Sequence, residues 1–310
     1  MEKKFFMNLI KPKKLQKGDT IGLLSVSGNI RDITAVENAA KYFQNLGYKT
    51  IISQTSYKNF RYMAGSDKER IDEIHHFFIN KNIDAIVCTR GGYGLLRIIP
   101  YLDYKLIAKN PKIICGYSDI TALLLMIYKN TGMICFHGGM ASGDFGQIEQ
   151  SEFTVNSFFK TLSTNEKLEF SSENGDTIYK GKINGTLWGG NLATISSMAG
   201  LDFIPDEDLI FFVEDVNEPA YKIDRMFTQL LNINKFKNNL KGLVVGQFTD
   251  VDKKNYVREL LTEISSDLKI PTANNFLISH EKDKFTLPIG ANCTFNANEK
   301  ILTINEKLFS

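Results

Sequence analysis

A chain of 310 residues, 43% hydrophobic and with only 7 prolines, buries roughly 75% of its extended surface and exceeds the ~250 residues at which one core stops growing, so two domains are expected. Lysine and arginine total 37 against 35 acidic residues, a formal charge of +2 with no long single-sign block, which argues against nucleic acid as a partner. No run of about 18 apolar residues occurs, and the basic opening MEKKFFMNLIKPKKLQKGD is broken at Asn8 and Lys11 and lacks a small-residue cleavage site; a cytoplasmic protein with no membrane partner is expected.

In chain order, the first half alternates short apolar runs with amphipathic stretches. Thr20 to Val26 reads as a strand, followed by a helix carrying Ala35, Ala39, Phe43 and Leu46 at helical spacing and stopped by Gly47. Further strands are predicted at Thr50 to Ser53, Ala85 to Cys88, Lys112 to Cys115 and Met133 to Phe136. Several are apolar on both faces, as parallel strands covered by helices are. Ser66 with Glu69 three residues on forms a capping box for a helix from Asp67 whose buried stripe is Ile71, Ile74 and Phe78. Such a βα-repeat layout gathers ligands at the carboxyl ends of its strands, which directs attention to the loops beginning at Thr89, Gly116 and His137.

From about 150 to 181 the chain turns polar and Ser/Asn/Gly-rich, the composition of a linker. The expected division is an α/β domain over 1–150, a linker over 151–180 and a smaller α+β domain over 181–310. In the last, strands are predicted at Ile183 to Leu187, Leu209 to Val213 and Gly242 to Phe248, with helices at Leu192 to Met198, Tyr221 to Leu230 and Tyr256 to Ile264. The end of the chain is β, at Phe285 to Leu287, Cys293 to Phe295 and Ile301 to Ile304. A curved or barrel-like sheet is expected there.

The strongest chemical candidate is Ser118, in Gly116-Tyr117-Ser118-Asp119-Ile120. The strand before it and the apolar helical face of Ile120, Leu123, Leu124 and Ile127 after it put the serine on a sharp strand-to-helix turn, where helix amides favour negative charge. The pentad only half meets the Gly-x-Ser-x-Gly elbow, and a plain helix cap by Ser118 or Asp119 is the competing reading. A serine needs a base, and histidine is the side chain that accepts and returns a proton near neutral pH. Of the four histidines, His75 and His76 lie in a predicted helix remote from strand ends. His137 enters Gly138-Gly139 and could line a pocket or support a loop, and His280 sits in the polar stretch Ser279-His280-Glu281-Lys282-Asp283. An orienting carboxylate is offered by Glu214, directly after the apolar run Leu209 to Val213, where a carboxylate is costly to bury without a partner. Asp215 is a rival; Glu218, before Pro219, is explained by capping a helix.

Arg90-Gly91-Gly92-Tyr93-Gly94 follows a predicted strand, and its paired glycines suit half of an oxyanion hole, the amide of Asp119 supplying the other half. The same glycines are compatible with tight packing alone. Neither this run nor Ser27-Gly28 meets the Gly-x-Gly-x-x-Gly of a dinucleotide site. Cys88, Cys115, Cys135 and Cys293 show neither paired zinc spacing nor disulfide density, and no His-Glu-x-x-His or carboxylate triplet occurs. No cofactor and no metal are expected. The single tryptophan, Trp188, beside Gly189 and Gly190, could wall a pocket or pack a domain junction.

These motifs together resemble the LD-carboxypeptidases (muramoyl-tetrapeptide carboxypeptidases) and the related microcin-immunity serine peptidases, over nearly the whole chain. The resemblance rests on Thr89-Arg90-Gly91-Gly92-Tyr93-Gly94 with Tyr101-Leu102-Asp103, Gly116-Tyr117-Ser118-Asp119-Ile120-Thr121, and Leu187-Trp188-Gly189-Gly190-Asn191-Leu192. Val213-Glu214-Asp215-Val216-Asn217-Glu218, Asp224-Arg225-Met226, and His280 followed by Leu287-Pro288-Ile289-Gly290 complete it. It implies an α/β fold, with an N-terminal flavodoxin-like or Rossmann-like three-layer domain and a smaller, β-rich, swivelling C-terminal domain. It implies Ser118 as nucleophile, His280 as general base and acid, Glu214 as orienter, and the amides of Gly92 and Asp119 as oxyanion hole. The implied reaction is hydrolysis of the L,D amide bond that releases terminal D-alanine from a murein tetrapeptide or muropeptide in peptidoglycan recycling, by a homodimer without a metal. The alternatives are a microcin-immunity-type peptidase acting on aminoacyl-adenylate analogues and a non-catalytic ligand-binding protein. Arg90 and Arg225 are candidates to receive the substrate carboxylate and are not assigned. Three departures from the family pattern are Ser25-Val26-Ser27-Gly28 for Ser-Pro-Ser-Gly, His137-Gly138-Gly139 for His-Gly-Pro, and Ser279 for the glycine before the base. The first two bear on pocket shape and the third on how His280 is presented.

Overall fold

The computed structural model describes residues 9–310; the start of the basic opening, residues 1–8, lies outside the described residues. The described chain divides into two compact units. One holds 9–165 with Phe285–Pro288 and Leu308–Ser310; the other holds Glu166–Lys284 and Ile289–Lys307.

The N-terminal unit alternates strand and helix: β1 (Thr20–Leu24), α1 (Ile33–Asn45), β2 (Lys49–Ile52), α2 (Asp67–Ile79), β3 (Ala85–Cys88), α3 (Tyr104–Lys109), β4 (Ile113–Gly116), α4 (Ile120–Thr131), β5 (Cys135–His137) and α5 (Glu152–Ser163). β1 to β5 pair in parallel in the order β2-β1-β3-β4-β5, and a late strand, Leu287–Ile289, lies beyond β5. β1, β3, β4 and β5 are buried along their whole lengths, which explains why their sequences are apolar without alternation. α4 is apolar nearly all round and buries Leu123, Leu124, Leu125 and Ile127 completely.

α2 starts as expected. Ser66 Oγ accepts from the Glu69 amide, the Glu69 carboxylate accepts from the Ser66 amide at 2.8 Å, and the capping box is complete. Its buried stripe, however, is Arg70, Ile74, Phe77 and Phe78, with Ile71 only half-buried. A fully buried arginine shifts the stripe.

The polar stretch 151–180 is not a bare linker. Ser151 caps α5 through the Thr154 amide at 3.0 Å, and α5 buries Phe158 and Leu162. Ser157 Oγ then accepts from the Thr286 amide at 2.9 Å, and Thr161 Oγ1 donates to the Thr286 carbonyl at 3.0 Å, fixing 285–288 within this unit. The rest of the stretch enters the second unit as β6 (Glu169–Ser171) and β7 (Thr177–Tyr179).

The second unit continues with β8 (Lys182–Asn191), α6 (Leu192–Ser197), β9 (Leu209–Val216), α7 (Ala220–Leu231), α8 (Asn234–Asn239), β10 (Leu240–Thr249), α9 (Lys254–Leu268) and β11 (Thr272–Ala273). The strand Leu287–Ile289 is β12, and β13 (Asn292–Asn296) and β14 (Ile301–Ile304) follow. Eight strands form one sheet in the order β6-β14-β13-β8-β9-β10-β11-β7, parallel from β8 to β11 and antiparallel on both flanks. Among the described residues this order has two ends, β6 and β7, so the sheet is open rather than closed into a barrel. β8 runs through both glycines to Asn191, longer than predicted. A Cβ on Gly189, at φ +152°, would lie 1.8 Å from the Phe212 carbonyl oxygen of β9, so only glycine allows the two strands this approach. Trp188 is fully buried among Phe203, Phe211 and Phe236 and packs this core.

Candidate active site

β4 delivers the chain to Ser118, which adopts φ +62°, a left-handed conformation that costs a non-glycine residue roughly 1–2 kcal/mol. Such strain at a strand-to-helix turn marks a residue whose side-chain direction matters. The cap reading fares poorly for Asp119: it stands at the N-cap of α4 but makes no side-chain capping bond. Its carboxylate instead accepts from Ser27 Oγ at 2.6 Å and from the Leu95 amide at 3.2 Å. The glycine loop lies against the serine: a Cβ on Gly91 would fall 2.6 Å from Ser118 Cβ and 2.7 Å from its Oγ, and 3.3 Å from the Asp119 amide nitrogen. Gly92 is exposed at φ +120°, and Ser118 is half-buried. Ser118, Asp119 and the Gly91-Gly92 loop therefore form one cluster at the carboxyl ends of β3 and β4.

The second unit holds the other two named residues. Glu214, near the end of β9, has no exposed surface, and His280 donates from Nδ1 to its Oε2 at 2.7 Å. The imidazole is 21% exposed, so its outer edge reaches solvent while Nδ1 is engaged. Burial lowers the His280 pKa, but the hydrogen bond and charge of Glu214, with the charge of Asp215, outweigh it and leave the value raised above 6.5. The hydrogen bond selects the tautomer with the proton on Nδ1, which leaves Nε2 as the basic atom.

Asp215 has a different task. Its carboxylate accepts from Asn191 Nδ2 at 2.9 Å and from the amides of Ala193 at 2.8 Å and Val216 at 2.9 Å, tying β9 to the start of α6. Burial and the neighbouring Glu214 charge push its pKa up to about 6. Glu218 does not cap α7; Asp252 accepts from the Ala220 amide at 2.8 Å, and Glu218 pairs with Lys222 at 3.3 Å.

The remaining histidines take other places. His75 Nε2 accepts from the Asp103 amide at 2.9 Å, His76 is exposed, and His137 is buried in β5 with its ring 6.2 Å from that of Tyr117. The four cysteines are buried and free, and burial pushes the Cys88 thiol up to about 12. Among the described residues no group of three or more His, Cys, Asp or Glu side chains is gathered as a metal would need, and no helix is long and apolar enough to cross a membrane. Within the second unit a cavity of about 480 Å³ opens at the end of β10, lined among others by Gln247, Thr249, Asn275, Lys254 and Glu281.

Comparison with known proteins decides the family. Residues 21–138 match the LD-carboxypeptidase N-terminal domain and residues 184–295 the LD-carboxypeptidase C-terminal domain. The chain belongs to the LD-carboxypeptidase family. It is 33% identical over 302 residues to a probable murein peptide carboxypeptidase of Bacillus subtilis, covering 95% of this chain and 94% of that one. It is 31% identical over 331 residues to the microcin C7 self-immunity protein MccF of Escherichia coli, covering 96% of each. Among solved structures, the MccF-like protein of Bacillus anthracis matches with a TM-score of 0.88 at 29% identity, covering 95% of this chain and 99% of that one. The family is one of serine hydrolases, and it contains both the murein-directed and the microcin-immunity members expected from the sequence motifs.

Arg70 is the polar residue of the first cluster that the motifs did not single out; Ser27 was named only within Ser25-Val26-Ser27-Gly28, with no partner assigned. Arg70 had one available signal: it stands four residues before Ile74 and seven before Phe77, on the buried stripe of α2.

Proposed function

We propose that this LD-carboxypeptidase family member is a serine carboxypeptidase that hydrolyses the L,D amide bond of murein tetrapeptides and releases terminal D-alanine. The observation that carries the reading is the His280–Glu214 pair at 2.7 Å, with the carboxylate wholly buried, in a chain that also presents Ser118 in a left-handed turn.

In this mechanism Ser118 Oγ attacks the scissile carbonyl while His280 Nε2 takes its proton. Glu214 holds the tautomer and stabilises the imidazolium through Nδ1. The oxyanion is received by the amides of Gly92 and Asp119, each such donor being worth roughly 3 kcal/mol in the transition state. His280 then protonates the departing D-alanine amine, and water, activated by the same imidazole, hydrolyses the acyl-serine.

The strand order β2-β1-β3-β4-β5 supports a flavodoxin-like reading of the N-terminal unit. A swivelling second domain, a homodimer and a cytoplasmic setting belong to the same reading. The murein substrate is favoured over an aminoacyl-adenylate analogue by the likeness to the Bacillus subtilis murein peptide carboxypeptidase and by the Glu214-Asp215-Val216-Asn217-Glu218 segment. The second reading, a microcin-immunity-type peptidase, is kept by the comparable likeness to MccF and to the Bacillus anthracis structure.

Purified protein incubated with tetrapeptides bearing an L- or a D-centre at the third residue tests the proposal. Release of D-alanine from the L-centred peptide alone, abolished in Ser118→Ala, is expected. No release from either peptide, with turnover of an aminoacyl sulfamoyl adenosine, would transfer the protein to the second reading; equal release by Ser118→Ala would reject the nucleophile.

A further inference from the structure

Two buried charges of opposite sign bind the loop that carries Gly92 to the end of β1. On one side, the Asp119 carboxylate accepts from Ser27 Oγ at 2.6 Å and from the Leu95 amide at 3.2 Å; Ser27 is wholly buried and Asp119 is 6% exposed. On the other, Arg70, also wholly buried, donates from Nη1 to the Val26 carbonyl at 2.9 Å and to the Gly94 carbonyl at 3.0 Å, and from Nη2 to Asp67 at 2.7 Å. The Gly28 amide donates to the Gly91 carbonyl at 3.1 Å between them. Val26 and Ser27, consecutive after β1, are thus joined to Gly94 and Leu95, consecutive in the loop, by two separate charged side chains.

Neither charge is there for helix capping or solubility. Asp119 makes no capping bond to α4 although it stands at the N-cap. Burial pushes its carboxyl pKa up, and the Ser27 hydroxyl, the Leu95 amide and the Arg70 charge pull it back. A buried charge is retained at such cost only where its partners are fixed. What these partners fix is the segment from Gly91 to Leu95, whose Gly91 backbone lies against Ser118.

We infer that the Asp119 carboxylate and the Arg70 guanidinium are positioning residues that set the Gly92 amide relative to Ser118, so that Asp119 serves the oxyanion hole twice, by its own amide and by locking the loop that bears the other donor. The inference rests on the hydrolase reading above. An amide displaced by even 1 Å loses much of its value to a developing oxyanion, because such donors act through preorganisation.

The test measures the rate at which a fluorophosphonate labels Ser118, mapped by peptide mass spectrometry, beside kcat and KM for D-alanine release. Asp119→Ala keeps the backbone amide and removes both acceptor bonds; Ser27→Ala removes one of them and is the milder variant. Labelling is expected to slow about 100-fold in the first and about tenfold in the second, with an equal loss in kcat and KM unchanged within about twofold. Melting curves give the folded fraction of each variant, and should Asp119→Ala not fold, Ser27→Ala carries the test. Wild-type labelling rates in folded Ser27→Ala, or losses that only follow the unfolded fraction, would overturn the inference and leave the hydrolase reading standing. A wild-type protein that neither labels at Ser118 nor releases D-alanine would instead overturn the reading itself.

Discussion

Replacing Glu214 by glutamine keeps the shape of a fully buried side chain and removes its charge. At the observed 2.7 Å separation, two unit charges in an environment of effective dielectric about 20 attract by about 6 kcal/mol. That attraction exists only while His280 is protonated, which on the proposed mechanism is the transition state and the tetrahedral intermediate. Its loss corresponds to a fall in kcat on the order of 10⁴-fold, the size seen when a triad carboxylate is made neutral. The same substitution moves the pH profile. Activity requires neutral His280, so the rate falls as pH drops through the imidazole pKa. With Glu214 in place that pKa is raised above 6.5, because the hydrogen bond and charge of Glu214 overcome the burial that lowers it. In Glu214→Gln burial dominates, and the acid limb of kcat/KM shifts below its wild-type position. A coupled assay of D-alanine release across pH 5 to 9 reads both effects. Retention of kcat within about tenfold, or an acid limb that does not move, would refute the argument.

Other predictions concern the scaffold. Gly189→Ala puts a Cβ 1.8 Å from the Phe212 carbonyl oxygen and is expected to abolish soluble expression or cost more than about 3 kcal/mol in urea unfolding, whereas Gly18→Ala, at φ +91° with nothing within 4 Å, should cost about 1–2 kcal/mol through its backbone angle alone. Ser66→Ala removes the hydroxyl half of the α2 capping box and should lower stability by about 1 kcal/mol, read as a shift in urea midpoint at constant slope. Phe158→Ala empties a fully buried position on α5; a loss of about 3–5 kcal/mol is expected if 152–163 is core, and none if it were a linker.

Of the parallel strands of the N-terminal unit, β1, β3, β4 and β5 are legible because each is short and apolar on both faces, whereas β2, with Lys49 exposed, is marked only by its place after the α1 stripe. The capping box at Ser66 and Glu69 fixed the start of α2 to the residue. α5 was obscured by serine and threonine, which composition assigns to loops, although Thr154, Phe158, Thr161 and Leu162 are buried on one face. β8 was cut short at its glycines because a glycine reads as a breaker until a neighbouring carbonyl explains it. β11, two residues long, has no periodicity to detect. The buried Arg70 ran against the rule that charge faces solvent, and its partners at Val26 and Gly94 lie far from it in sequence.

In the site, Ser118 announced itself locally through its turn. Glu214 and His280, 66 residues apart, could be chosen only by elimination and by resemblance to the family, since nothing local distinguishes a loop histidine that meets a buried carboxylate from one that does not. The bond between Ser27 and Asp119 spans 92 residues and left no trace in spacing at all. Local chemistry is readable from a single sequence; the partner that gives it a role is set by topology.

The most direct measurement of the central claim compares fluorophosphonate labelling of Ser118 in the wild-type protein, in His280→Ala and in Glu214→Gln at pH 8. The account predicts a single adduct on Ser118 in the wild type, formed at least about 10³-fold more slowly in both variants while each remains folded. An adduct that forms at the wild-type rate without the imidazole, or that appears on another residue, would contradict it.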